Sequence, residues 1–195
     1  MPSRLVNLRH NVSWQDFQRQ PPANSTHHAH IETQFDLNYS YAQNTAGVQL
    51  QDNVTVTVTL NRARSWAKKN IINTWPAAQQ NNLLKHEQGH YDITALMGRD
   101  FFIDVMQLKT RSFANLATMQ NELRLLQQQY NPQSVHNKYD STPETNHGLN
   151  QAQQNSWNGY INKAFTQTRV PAVRAPDGAS YKIRLREVLQ AAGKL

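Results

Sequence analysis

Beyond Pro76 the chain reads as one long amphipathic helix, and a single pentad within it, His86-Glu87-Gln88-Gly89-His90, constrains what can be built around it. Thr74, Trp75 and Pro76 supply a helix start, because proline is tolerated in a first turn where its missing N–H has no intrahelical partner to lose. Leu83, Ile93, Met97, Phe101 and Leu108 fall on or near one stripe, and His86 and His90 share it, so the two imidazoles are expected to face the interior. Residues four apart stand one turn above each other and can converge on one ion. Glu87 then lies close to that ion without having to bind it, where a general base for water is wanted. Gly89 carries a propensity cost of about 1 kcal/mol in the same turn, which a close approach by backbone or ligand would explain. Histidine is 8 and glutamate 5 of 195 residues, so this pattern arises by chance in roughly one such chain in a hundred. The alternative is a pair of core histidines with satisfied hydrogen bonds beside a surface carboxylate, and the full motif outweighs it.

Cysteine is absent, which excludes disulfides, thiolate zinc sites and a cysteine nucleophile; any metal must be held by His, Asp or Glu. The length of 195 residues suits one domain with a real core. Charged residues are only 17% while Asn and Gln make up roughly a fifth, so the polar surface is largely amide rather than ionic. No run approaches the ~20 apolar residues of a membrane span. The opening "MPSRLVNLRHNVSW" lacks the apolar core of a secretory signal, so no export address is expected in it. Of the net charge of +7, +5 falls between Tyr160 and Leu195, where Lys163, Arg169, Arg174, Lys182, Arg184, Arg186 and Lys194 face only Asp177 and Glu187. Such a tail can dock on an anionic partner, although a solvated basic face is the more ordinary reading.

The first third is β-rich. "FDLNYSY" alternates Phe35, Leu37, Tyr39 and Tyr41, and "NVTVTVTL" alternates Val54, Val56, Val58 and Leu60 with threonines, which predicts two half-buried strands in an antiparallel meander. "QPPANSTHHAH" is a loop whose His27, His28 and His30 read as solvated rather than as ligands. Further helices are expected at roughly 113–130, stopped by Asn131 and Pro132, and at about 149–165. "KYDSTPETNHG" between them is loop-like, and "YKIRLREVLQ" reads as a strand or a short helix.

Two histidines are too few, since a catalytic zinc takes three protein ligands and keeps a fourth position for water. The extension H-E-x-x-H-x-x-G-x-x-H is excluded, because Ile93 and Leu96 hold its last two positions. Glu122, 32 residues after His90, is available on a following helix. The richer block offers Asp140, Glu144 and His147, with Gly148 allowing a sharp turn back into a cleft. His147 is the first choice for third ligand, Asp140 the second and Glu122 the third. Tyr139 is the candidate hydroxyl donor to a developing oxyanion, with a packed aromatic as its alternative.

"VSWQDFQRQPP", "RSWAKK", "LLKHEQGHYDI" and "YDSTPETNHGLNQAQQNSW", in that order, resemble the blocks of a bacterial family of uncharacterised proteins described as predicted zinc-dependent, often secreted proteases. The resemblance spans about Val12 to Ile161. It implies that Tyr139, Asp140, Thr145, His147 and Gly148 belong with the active site, and a secreted or periplasmic location that the missing signal does not support. The basic tail lies beyond it.

The expectation is therefore an α+β fold, a small antiparallel sheet from the N-terminal third packed on a helical region that carries the motif helix, zincin-like in kind. One metallopeptidase domain over residues 1–169 would be followed by a basic extension over 170–195. Zn2+ would be held by His86, His90 and His147, with Glu87 as general base acting on a peptide or protein substrate, and the backbone of that substrate would add to the edge of "NVTVTVTL". Two alternatives stand beside it. One is a non-catalytic zinc-containing module that binds through its basic tail. The other is a zinc hydrolase of a non-peptide amide or ester.

Overall fold

The computed structural model describes residues 2–168 and 182–195, so Arg169, Arg174 and the Asp177-Gly178 turn lie outside the described residues. Seven strands come first: β1 (Arg4–Val6), β2 (Ala29–His30), β3 (Thr33–Asn38), β4 (Tyr41–Asn44), β5 (Gly47–Leu50), β6 (Thr55–Leu60) and β7 (Trp66–Ala67). Six α-helices follow among the described residues: α1 (Lys69–Thr74), α2 (Ala77–Leu108), α3 (Leu116–Gln129), α4 (Gln133–Asp140), α5 (Gln151–Thr166) and α6 (Leu185–Ala191). The fold is α+β, with small sheets packed against a helical body.

The Val–Thr alternation of β6 sets the sheet. Val54, Val56 and Val58 are fully buried while Thr55, Thr57 and Thr59 are half-buried, as a strand of period two with one face on the core requires. β3 pairs with β6 antiparallel from Thr33↔Leu60 to Asn38↔Thr55. The other side of β6 is occupied by β1, running parallel from Arg4↔Thr55 to Val6↔Thr57. The antiparallel pairing expected of these strands holds between β3 and β6, and with β1 added in parallel β6 is the central strand, which corrects the expectation that its edge receives a substrate. The simple meander is corrected as well, since β4 and β5 form their own hairpin between β3 and β6.

Helix α2 lies at the centre. One side packs on β3 and β6, and others meet α3, α5 and α6, which is why its middle, from Ile93 to Met106, is buried almost all round. Phe35 of β3 rests against α2 at Gly98, where an added β-carbon would stand 3.1 Å from the ring. α6 seats Leu185, Val188 and Leu189 in the same core. Its approach is fixed by polar contacts with α2: Asp100 accepts from the Leu185 amide at 2.9 Å, Arg99 donates to the carbonyls of Ala164 and Ile183, and Arg184 pairs with Asp104. Among the described residues no helix is long and apolar enough to cross a membrane.

Candidate metal centre

His86 and His90 project from the third and fourth turns of α2 with their rings 4.9 Å apart and nearly perpendicular. They converge on one atom. Asp140 Oδ1 lies 3.1 Å from His86 Nε2 and 2.9 Å from His90 Nε2, and His147 Nδ1 approaches the same oxygen at 3.8 Å. His86, Asp140 and His147 offer atoms that all lie within 4.8 Å of one another. None of these approaches has hydrogen-bond geometry, so Asp140 Oδ1 is buried without a hydrogen-bond partner among the described residues. Glu87 is also buried, and its Oε2 likewise has no partner.

Local structure explains how Asp140 and His147 arrive there. Asp140 closes α4, an element that the turn-rich composition of its flank hides, and the chain then tightens into a knot of backbone bonds. Thr145 N–H donates to Tyr139 O at 3.1 Å, Asn146 N–H to Ser141 O at 3.1 Å, and Asn150 N–H to Thr145 O at 2.9 Å. Asn146 (φ 48°), His147 (φ 52°) and Gly148 (φ 82°) are three successive left-handed residues. Such backbone is costly for the first two, and strain of this kind persists only where surrounding contacts over-determine it. Gly148 has a second constraint: a β-carbon there would lie 2.9 Å from His86 Cβ. Glu144 pins the knot from behind, accepting from Trp157 Nε1 at 3.0 Å and from Lys194 Nζ at 2.7 Å.

Beneath the site a set of side chains fixes His86. Gln154 Nε2 donates to the Tyr139 hydroxyl at 2.5 Å and to Asn158 Oδ1 at 2.9 Å, which makes Oε1 its accepting end. His86 Nδ1, 3.1 Å from that oxygen, is therefore the protonated nitrogen, and Nε2 keeps its lone pair toward Asp140. Tyr139 stacks on the His86 ring, 4.7 Å away and 7° from parallel, and its hydroxyl donates to the His86 carbonyl at 3.2 Å. This corrects the role expected of Tyr139. The hydroxyl is fully buried against α2, outside the cleft lining, so it orients His86 and does not face a reacting carbonyl.

Charge in the cluster follows from the same contacts. Burial raises the Asp140 carboxyl, but hydrogen bonding from and the charge of the His86 and His90 imidazoles in their protonated forms outweigh it and hold Asp140 well below the usual carboxylate range. For His90 burial acts downward, while Asp140 and then Glu87 pull its affinity for a proton above the ordinary value. Burial and the neighbouring His90 press His136 down to about 3, so that imidazole is neutral. His147 is also lowered, chiefly by burial, with Asp140 opposing.

The cluster lies in a cleft of ≈ 700 Å³ lined by seven of the eight histidines, all but His10. His27, His28 and His30 are among them, although their loop reads as solvated in sequence. His27 contacts the His147 ring at 4.4 Å, His28 meets Trp75 edge-on at 4.8 Å, and His30 Nε2 lies 3.2 Å from Glu32. Sequence spacing carried no sign of this; the only hint was that so many histidines share one short chain. Glu122 is elsewhere, on α3 in a two-pronged pair with Arg111 at 2.7 and 2.8 Å, and does not line the cleft. The extended backbone bordering the cleft is Ala29–Thr33 rather than β6.

No curated protein and no solved structure matches this chain. A family model does, over residues 7–148, a span that runs from the residue after β1 to the glycine after His147. The chain belongs to the DUF922 family, described as bacterial proteins of unknown function.

Proposed function

We propose that the protein is a zinc-dependent metallopeptidase, zincin-like in the placing of its motif helix beneath a bordering strand. The observation that carries this reading is the pair of buried carboxylate atoms, Asp140 Oδ1 and Glu87 Oε2, left without hydrogen-bond partners beside converging imidazoles. An unpaired buried polar atom costs about 1–3 kcal/mol and more when charged, so a native site that keeps two of them implies a missing partner. The donor set fits zinc. Imidazole nitrogen and carboxylate oxygen are its ligands, and a tetrahedron with arms of about 2.0–2.2 Å separates its donors by roughly 3.3–3.6 Å. Contacts of 2.9, 3.1 and 3.8 Å bracket that spacing.

On this reading His86, His90 and Asp140 would hold the ion and leave a fourth position for water on the side where His147, whose side chain is 45% exposed, faces the cleft. When bound, zinc supplies a Lewis acid that acidifies water and polarises a carbonyl oxygen. Glu87 takes the proton from the attacking water and returns it to the departing amine nitrogen, so that water and a peptide bond give a carboxylic acid and an amine. Gln154 and Tyr139 hold the His86 ring in the tautomer and plane that ligation needs. The Ala29–Thr33 backbone is the strand along which an extended substrate lies.

The test is zinc content by elemental analysis together with hydrolysis of a peptide library by wild type and Glu87→Gln. About one zinc per chain in both proteins, with turnover only in the wild type, is the expected result. Turnover retained in Glu87→Gln would sink the mechanism. A screen of amides and esters in parallel distinguishes a non-peptide hydrolase, whose chemistry is the same. The binding-module alternative finds less support. In the described part of the tail Lys182 donates to Thr166 O, Arg184 pairs with Asp104, Arg186 donates to Gln129 O and Lys194 to Glu144, so these cations are engaged within the fold.

A further inference from the structure

Beside the histidine cleft, and sharing His28, Leu83, His147 and Leu149 with it, lies a second cavity of ≈ 380 Å³. Trp75 and Leu83 provide apolar wall, and among the described residues no Asp, Glu, Lys or Arg lines it. Two features of the chain create it. Pro76 ends the short helix α1 and starts α2, which leaves Trp75 at the corner between them, with its indole against the His28 ring. Across the cavity, the left-handed run Asn146-His147-Gly148 that brings His147 to Asp140 delivers Leu149 one residue later. Leu149 is 65% exposed, more than any other large hydrophobic side chain among the described residues. Single exposed leucines are ordinary on a surface. This one stands at the mouth of a concave apolar site, two residues from a cluster histidine, which is the situation in which exposed apolar area marks a binding site.

We propose that this cavity receives the apolar side chain of a substrate residue flanking the bond that is hydrolysed, and that Leu149 and Trp75 set that preference. The assignment rests on the metallopeptidase reading for its substrate class, peptides, and adds the class of side chain: leucine, methionine or phenylalanine in preference to alanine, and any of these over aspartate or glutamate. Continuity of the walls is the reason. A chain extended along the cleft past His147 has the Trp75 cavity as its neighbouring depression, and uncharged walls penalise an ionised side chain that would be desolvated there. A pocket that encloses several methylenes discriminates against their absence by about 10-fold to 200-fold.

The experiment uses zinc-loaded Glu87→Gln protein, in which nothing is turned over, and follows the indole N–H signals by nuclear magnetic resonance while N-acetyl-leucinamide or N-acetyl-alaninamide is added. The leucine probe is expected to shift the Trp75 signal at concentrations about tenfold lower than the alanine probe, and Leu149→Asp is expected to remove that difference. Because Leu149 is exposed, this variant leaves the core untouched; Leu149→Met should restore the selectivity. In the active protein the ratio of kcat/KM for leucine over alanine at the flanking position should fall by about tenfold in Leu149→Asp. An unmoved Trp75 signal, or equal response to both probes, overturns the pocket. Selective binding without any peptide hydrolysis by the wild type would leave the pocket standing and overturn the peptidase reading instead.

Discussion

Gly89 and Tyr139 are in contact across α2 and α4: a β-carbon on Gly89 would stand 2.2 Å from the tyrosine hydroxyl and 2.7 Å from the ring carbon that bears it. The same tyrosine lies flat on His86. The missing side chain at position 89 is thus what lets an aromatic ring slide under the first histidine of the motif. The helix-propensity cost of glycine, about 1 kcal/mol, is offset by the close packing it permits.

Gly89→Ala should therefore destabilise the protein despite its better helix propensity. Overpacking of about 1–3 kcal/mol outweighs a propensity gain of about 1 kcal/mol, giving a net loss of up to about 2 kcal/mol in urea unfolding. Tyr139→Phe removes the hydroxyl that meets the new methyl group. A double-mutant cycle should then show positive coupling, with Gly89→Ala costing less in the Tyr139→Phe background. Strict additivity would show that the contact is not what excludes a side chain at position 89.

Gln154 joins His86 Nδ1 to the Tyr139 hydroxyl from the first turn of α5, 68 residues away in sequence from the histidine. Gln154→Ala should leave the ligands in place and lower zinc affinity by about 10-fold to 100-fold, the usual cost of losing the partner that orients a ligand imidazole. Competition with a chromogenic chelator measures this directly. Gln154→Glu keeps the acceptor for Nδ1 and should recover more affinity than Gln154→Leu, an order that a purely packing role for this residue would not produce.

Local pattern revealed the parts of the site that are local. His86, Glu87 and His90 follow from i, i+4 geometry on an amphipathic stretch, and β6 follows from its valine alternation, because each signal lies within about ten residues. The position of β6 inside the sheet was not legible, since its parallel neighbour β1 is three residues long and has no periodicity to read. Helix α4 was hidden for a similar reason: Tyr139 and Asp140 end it, and the turn-forming residues after them dominate the composition of that block. The central place of Asp140, the Tyr139 hydroxyl turned toward α2, and the gathering of His27, His28 and His30 at the cleft all depend on tertiary packing between segments about 50 or more residues apart, on which propensity is silent.

Acid sensitivity should trace in part to the tie between α2 and the C-terminal segment. Burial raises the Asp104 carboxyl, but hydrogen bonds from Arg184 and Tyr130 and the charge of Arg184 outweigh it and hold it below the ordinary 3.8. A carboxylate depressed in the folded state contributes stability above its unfolded pKa and loses it as pH falls through the folded value. Wild type should accordingly lose stability from about pH 4 downward more steeply than Asp104→Asn, which starts lower at pH 7 and has a flatter profile. Parallel profiles in urea titrations from pH 7 to pH 2 would remove Asp104 from the account of acid unfolding.

The donor set can be resolved by single substitutions read as zinc content. Asp140 Oδ1 is the atom on which both helix histidines and His147 converge, so Asp140→Ala should abolish stoichiometric zinc, as should His86→Ala or His90→Ala. His147 is farther from that oxygen and more exposed than its partners, so His147→Ala should weaken zinc by a smaller factor while still impairing turnover through the lost imidazole facing the cleft. Glu122→Gln, which breaks only the surface pair with Arg111, should change neither zinc content nor activity and serves as the control. Zinc lost in His147→Ala but kept in Asp140→Ala would exchange the two roles. Asp140 would then orient the imidazoles from behind, and the three-histidine set expected from the sequence would be the one that holds the ion.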